Sequence, residues 1–114
     1  MNLDSFLKQL EYSPESIEFN DTMAVIEENY IFTPSSFTNG GVANQAGTNN
    51  GSCKIFSFGL LNALTEQQTL ACFGSYYRDD VLNNPEGDDH QNIRNFMVSG
   101  WAGIQFDNLA LAEK

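Results

Sequence analysis

A cysteine and a histidine are the two residues of this chain that could combine in covalent chemistry. Cys53 follows the turn-forming stretch "NNGS", and an apolar run begins there. A helix starting at this point would hold the thiol at its N-terminus, where backbone amides stabilise a thiolate and an oxyanion. His90 is the sole histidine, so it must be the base, oriented by Asn92 or alternatively by Asn95 or Asp89. The pattern predicts a thiol-dependent hydrolase or transferase; the alternative is a small buried core cysteine.

The segment around this cysteine can be compared with a known nucleophile motif. The letters "GSC" at 51–53, followed by "FS" at 56–57, resemble the stretch around the nucleophile of papain-like proteases. Lys54 stands where that family has tryptophan, and the histidine follows after a much shorter interval. Cysteine signatures of this kind do not transfer between families, so the motif leaves both interpretations of Cys53 open.

A second constellation combines His90 with a run of neighbouring carboxylates. The acidic members are Asp79, Asp80, Glu86, Asp88 and Asp89. Their oxygens and one imidazole could ligate a divalent cation. The spacing does not follow the EF-hand pattern, and the sequence has no pair of closely spaced histidines or phosphate-binding glycine motif. We therefore predict no metal site and no cofactor.

Two arginines and the single tryptophan are candidates for ligand binding. Arg78 and Arg94 could clamp a carboxylate, and Trp101 could offer an aromatic face. Because the chain has only five basic residues, each arginine is alternatively expected to pair within the fold, for example Arg94 with Asp79 or Asp80. Trp101 would then belong to the core and its rim.

The spacing of apolar residues predicts four or five short helices around a phenylalanine-rich core. A Thr65-to-Gln68 capping box opens the fourth helix, and Asn20 or Asp21 is expected to cap the second. Asp88 or Asp89 is expected to cap the last helix, which Gly100 stops. The predicted helices are Leu3 to Tyr12, Phe19 or Asn20 to Tyr30, Ser52 through Leu64, Thr65 to about Arg78, and Asp88 or Asp89 to Gly100.

The remaining segments give a mostly α-helical single domain, 1–114, with a minor α+β alternative. Residues Ile31 to Asn50 are predicted to form a long ordered loop over the core, with a short strand at Ile31 to Thr33 as an option. In the α+β alternative, Lys54 to Phe58 is a strand that pairs with Gly103 to Phe106. The last residues are expected to fray.

Composition restricts the classes of function. The chain has 114 residues and a formal charge of −10, which disfavours binding to nucleic acid and to anionic membranes and favours a basic protein partner. Two cysteines cannot form a disulfide-rich scaffold. The N-terminal letters "MNLDSFLKQLEY" contain no apolar core of a signal peptide. The expected location is the bacterial cytoplasm.

Four segments of the chain occur in the order "SPESIEFNDTMAVIEENYIFTP", "NNGSCKIFSF", "TLACFGSYYRDDVL" and "PEGDDHQNIRNFMVSGWAGIQF". Read together, they resemble the HopJ family from about Phe6 to Phe106. That family is named for a protein proposed to enter host cells through a type III secretion system. The resemblance implies an effector delivered in this way, and it brings no established reaction, cofactor or catalytic residue. We expect a non-enzymatic protein-interaction role, with the thiol enzyme as the alternative.

Overall fold

Phenylalanine side chains form the centre of the molecule. The computed structural model describes residues 2–114. The Phe56 ring is fully buried and packs against Phe37, Phe73, Phe96 and Trp101, with ring centroids 5.0 to 6.4 Å apart. Aromatic pairs at such distances stabilise a core beyond their buried area. The predicted phenylalanine-rich core is confirmed.

Within residues 2–114, five α-helices surround this core: α1 (Leu3–Tyr12), α2 (Phe19–Asn29), α3 (Asn50–Leu61), α4 (Glu66–Ala71) and α5 (Gln91–Ser99). The predicted mostly α fold with minor β structure is confirmed. α1 has the predicted bounds. The capping box before α4 is also present, because the Gln68 N–H donates to Thr65 Oγ1 at 3.1 Å and the Thr65 N–H donates to Gln68 Oε1 at 3.0 Å.

Two of the predicted helix caps are wrong. α2 is preceded by Glu18, whose N–H donates to Asp21 Oδ2 at 3.0 Å, so Asp21 lies inside the first turn. α5 is preceded by His90 in a left-handed conformation with φ +51°, and neither Asp88 nor Asp89 caps it. Asp89 instead accepts a hydrogen bond from Arg94 Nη2, and such charge-assisted hydrogen bonds are stronger than neutral ones.

The predicted fourth helix is too long. α4 ends at Ala71, and Gly74 follows with φ +62°. A Cβ at Gly74 would lie 2.5 Å from the Phe19 backbone nitrogen, so the left-handed glycine allows close approach of α2. A short segment of π-helix, Tyr76–Val81, continues the chain in a new direction.

In the part of the chain that the structure describes, five short strands form two antiparallel sheets: β1 (Tyr30–Phe32), β2 (Phe37–Asn39), β3 (Val42–Asn44), β4 (Ile104–Phe106) and β5 (Leu111–Glu113). One sheet has the order β3-β2-β4, and the other pairs β1 with β5. The predicted loop at 31–50 therefore contains a hairpin, formed by β2 and β3, as well as the end of β1. Its two-residue turn is Gly40 and Gly41, with φ +60° and +88°, as a tight hairpin turn of the primed type requires.

Two expectations about strands are wrong. Lys54 to Phe58 lies within α3, so the partner of β4 is β2, with Phe37 opposite Phe106. The last residues are held in β5, where Leu111 lies opposite Phe32, and the Lys114 N–H donates to the Asn29 carbonyl at 3.2 Å. Both pairings join segments far apart in the chain, which local propensity does not specify.

Candidate functional site

The Cys53 side chain points into the core from the start of α3. It is 1% exposed, and its Sγ–H donates to the Ser35 carbonyl oxygen at 3.5 Å. Burial raises the pKa of the Cys53 thiol, and this outweighs the hydrogen bond to Ser35 and the Lys54 charge, which act in the opposite direction. The environment favours a neutral thiol. The catalytic role stays a prediction, and this burial weighs against it.

His90 lies in a different environment from the thiol. Its Nε2 is 3.1 Å from Asp80 Oδ2 and 3.8 Å from Asp89 Oδ2. The imidazole packs against the Tyr76 ring with centroids 5.2 Å apart. The polar contacts of His90 are thus carboxylates and those of Cys53 a backbone carbonyl, so no hydrogen bond joins the two residues within 2–114.

An open cleft of about 560 Å³ lies between β3, the start of α3 and the start of α5. It brings together three of the predicted site residues, His90, Asn92 and Asn95. Gly51 and Ser52 also line it, whereas the next residue, Cys53, faces the core. A cavity of this size with convergent polar groups is the usual form of a small-molecule site.

Four asparagines form a hydrogen-bonded network at this cleft, and three of them, Asn44, Asn49 and Asn92, border it. Asn39 Nδ2 donates to the Asn92 carbonyl and side-chain oxygens at 2.9 Å each. Asn92 Nδ2 donates to Asn44 Oδ1 at 3.0 Å, and Asn49 Nδ2 donates to the same oxygen at 2.7 Å. Asn39, Asn44 and Asn92 are buried. Among residues 2–114, Asn39 Oδ1 is buried without a hydrogen-bond partner, so the network is only partly satisfied.

Sequence reasoning identified only Asn92 of these four asparagines. The other three lie on β2, on β3 and at the start of α3. A network assembled from strands and helix ends has no fixed sequence spacing. The available signal was the accumulation of asparagine next to turn-forming glycines, which indicates turns rather than a site.

The helices that border the cleft both begin without a side-chain cap. Asn49 and His90 precede α3 and α5 with φ +47° and +51°, and neither side chain accepts a hydrogen bond from the first turn. The first amides of a helix have no partner inside the helix. Non-glycine residues in this left-handed region are strained, and such strain is concentrated at functional sites.

Both arginines are engaged within the fold. Arg78 Nη2 donates to the Ile17 carbonyl at 2.6 Å and to Glu18 Oε1 at 3.1 Å. Arg94 Nη2 donates to Asp89 Oδ1 at 2.6 Å, so the predicted pairing with Asp79 or Asp80 is wrong. This hydrogen bond from Arg94 lowers the pKa of the Asp89 carboxyl.

Trp101 also has structural contacts. Its Nε1–H donates to the Leu64 carbonyl at 3.0 Å, and its ring packs edge-on against Phe56 and Phe96. The ring also lies beside Gly59, where a Cβ would come within 2.7 Å of it. A ligand-binding role for Trp101, Arg78 and Arg94 stays a prediction.

The acidic residues around His90 do not gather into a metal centre. Among residues 2–114, no group of three or more histidine, cysteine, aspartate and glutamate side chains is arranged to hold a metal ion. The same part of the chain contains no helix that is long and apolar enough to cross a membrane.

A second, smaller groove of about 270 Å³ lies between α1 and α4. Leu10, Pro14, Ala71 and Tyr77 give it an apolar lining. The exposed side chains of Glu11 and Glu15 also border it. Apolar walls beside carboxylates suit a long cationic side chain, whose stem is apolar and whose head is charged.

The chain is similar to known proteins over its whole length. The sequence model of the HopJ type III effector protein family matches residues 3–111. A crystal structure of an unknown-function protein, VPA0580, superimposes with a TM-score of 0.98 at 66% identity, covering 100% of this chain and 95% of that chain. No curated protein matches. The resemblance seen in the sequence is confirmed: the chain belongs to the HopJ type III effector protein family.

Proposed function

We propose that the chain is a type III effector that acts in the host cell by binding a basic protein partner rather than by catalysing a reaction. Family membership supports delivery through the type III system. The apolar groove bordered by Glu11 and Glu15 carries the proposal of a basic partner. Catalysis by Cys53 and His90 stays the alternative prediction, against which the burial of Cys53 weighs.

The charge distribution supports a basic partner. The sequence has fifteen acidic and five basic residues. Within 2–114, the ion pairs engage only three of the carboxylates, those of Glu18, Asp80 and Asp89. Of the other carboxylates, Asp21 and Glu66 accept backbone hydrogen bonds, and the rest form neither ion pairs nor hydrogen bonds among those residues. Such a surface attracts cationic proteins and repels phosphate backbones and anionic lipids.

The basic partner binds specifically at the groove between α1 and α4. Arg78 borders the groove, but its guanidinium is held by the Pro14 and Ile17 carbonyls and by Glu18. Glu11 and Glu15 have no ion pair among the described residues. A lysine or arginine of the partner could lay its stem on the apolar lining and bring its charge to both carboxylates.

A charge-neutral double variant tests this binding mode. The probe is an acetylated peptide that alternates lysine and leucine, titrated into the ¹⁵N-labelled protein and followed by amide chemical shifts. We expect saturable shifts at Gln67, Gln68 and Ala71, which border the groove. Replacing both Glu11 and Glu15 by Gln should weaken binding about tenfold, since two partly desolvated ion pairs contribute about 0.7 kcal/mol each.

The matched control replaces Glu27 and Glu28 of α2 by Gln, which makes the same charge change at exposed positions outside the groove. It should change the affinity less than about twofold at 0.15 M salt, where distant charges are screened. Equal losses in the two double variants would show diffuse attraction and contradict the groove. Absence of saturable shifts would contradict it as well.

Delivery is tested separately from binding. The chain is fused to a translocation reporter and expressed in bacteria with an intact type III system and in a matched strain without a working secretion channel. We expect the reporter signal in host cells only with the intact system. A signal in neither strain would contradict the effector proposal and leave the binding measurement standing.

A further inference from the structure

We infer that the groove between α1 and α4 is a pocket for a single arginine side chain of the partner, and that Tyr77 makes it select arginine over lysine. This selectivity refines the proposed function and rests on it, because it names the residue type that the basic partner inserts. Three features of the groove support it: its size, the free acceptors on its border and the aromatic ring in its lining.

The groove has the size of a side-chain pocket. Its volume is about 270 Å³, whereas sites for small molecules span about 300–1,000 Å³. Leu10, Pro14 and Ala71 contribute apolar walls, against which the methylene stem of an arginine can pack. The groove therefore fits one long side chain better than a separate organic ligand.

The border of the groove carries hydrogen-bond acceptors that the protein leaves free. Glu11, Glu15 and Gln67 are exposed, and their side chains make no hydrogen bond among residues 2–114. Gln68 differs, because its Oε1 accepts from the Thr65 N–H at 3.0 Å. A guanidinium presents five N–H donors in a planar fork that binds carboxylates bidentately, and an ammonium presents three around a point charge. Arginine can therefore use more of these acceptors than lysine can.

Tyr77 is the lining residue that best distinguishes the two cations. It is half-buried, packs against the hydrophobic core and borders the groove. The short π-helix Tyr76–Val81 positions it, since Tyr76 borders the cleft at the start of α5 while the next residue borders the groove. Segments of π-helix are frequent at functional sites. A planar guanidinium stacks on an aromatic ring, which a strongly hydrated ammonium does less readily.

The charge of Arg78, which also borders the groove, is compensated within the fold. Its Nη2 lies 3.1 Å from Glu18 Oε1 and donates to the Ile17 carbonyl at 2.6 Å. Glu11 and Glu15 have no such counter-ion among the described residues. The groove therefore keeps a net negative charge that attracts a second guanidinium.

Two peptides that differ only in the basic residue test this selectivity. They are the alternating lysine–leucine peptide and its arginine–leucine counterpart of equal length and charge. Each is titrated into the ¹⁵N-labelled protein, and the amide shifts of Gln67, Gln68 and Ala71 are followed. We expect the arginine peptide to bind at least about fivefold more tightly, because stacking and bidentate hydrogen bonds are added to the same net charge.

Two matched tyrosine variants assign this preference to Tyr77. Tyr77→Leu removes the ring at the groove, and Tyr12→Leu removes an exposed ring outside the lining. The preference for arginine should fall below about twofold in Tyr77→Leu and stay unchanged in Tyr12→Leu. Because Tyr77 also packs against the core, Tyr77→Phe is measured as well; it keeps the ring and should keep the preference.

Equal affinities of the two peptides for the unmodified protein would overturn the inference, and so would a full preference for arginine in Tyr77→Leu. If both peptides bind equally and the double replacement of Glu11 and Glu15 by Gln weakens both, the groove of the proposed function stands and only the selectivity fails. Absence of saturable shifts with either peptide would overturn both proposals. The two failures are thereby measured separately.

Discussion

The reactivity of Cys53 decides between an enzyme and a binding protein. Cys53 is 1% exposed and Cys72 is fully buried, so an alkylating reagent must wait for the structure to open. Domains unfold with about 5–15 kcal/mol, and each 1.4 kcal/mol of opening free energy slows labelling about tenfold. Even a local opening that requires about 4 kcal/mol would slow labelling of Cys53 about a thousandfold relative to the denatured chain.

The assay is iodoacetamide labelling between about pH 6 and pH 9, read by mass spectrometry at both cysteines, with the protein in urea as the reference. Because burial raises the pKa of both thiols, labelling should keep rising beyond the ordinary thiol pKa of about 8.5. His90→Ala should leave the rate at Cys53 unchanged. Labelling within about tenfold of the denatured rate that persists at about pH 6 and is lost in His90→Ala would refute this reasoning and support a thiolate enzyme.

Three further predictions concern stability, each measured by urea denaturation. Thr65→Ala removes the hydroxyl acceptor of the capping box and should reduce the free energy of unfolding by about 1 kcal/mol. Gly74→Ala should lose more than about 3 kcal/mol, because its Cβ would lie 2.5 Å from the Phe19 nitrogen. Gly47 also has a positive φ, +89°, but its position is open, so Gly47→Ala should lose about 1 kcal/mol. Equal losses would contradict the steric account. Burial raises the pKa of Cys72 to about 12. The neutral Cys72 thiol therefore contributes its full stabilisation below about pH 8.5, and the free energy of unfolding falls by up to about 1.4 kcal/mol per pH unit as the pH rises toward 12. Cys72→Ala should flatten this pH dependence.

The elements that sequence reasoning located are those with local causes. The periodic apolar residues of α1 and the hydroxyl and amide of the capping box at Thr65 act within one or two turns of helix, so composition and spacing reveal them. The strand pairings lie beyond this range. β2 pairs with β4 across more than sixty residues, and no local pattern in Phe37 to Asn39 identifies Ile104 to Phe106 as its partner.

The candidate site was predictable only in part, for the same reason. His90, Asn92 and Asn95 could be selected because they are close in sequence and lie at the start of one helix. Asn44 joins them through the hairpin, and its amide is aimed by contacts with Asn49 and Asn92. Residues that the tertiary structure brings together have no fixed spacing in the sequence, so the cleft is recognised only when the fold is known.

One position along α3 separates Cys53 from the residue that borders the cleft. Successive residues of a helix point about 100° apart, so Ser52 borders the cleft while Cys53 faces the core. The start of α3 has the backbone amides that favour a thiolate, but the Cys53 thiol points into the core instead.

We predict that Ser52→Cys introduces a thiol with a pKa below the ordinary value of about 8.5, because the α3 amides would stabilise its charge. Its labelling should plateau near neutral pH while Cys53 in the same chain stays slow; a midpoint at or above about 8.5 would contradict the electrostatic account of the cleft.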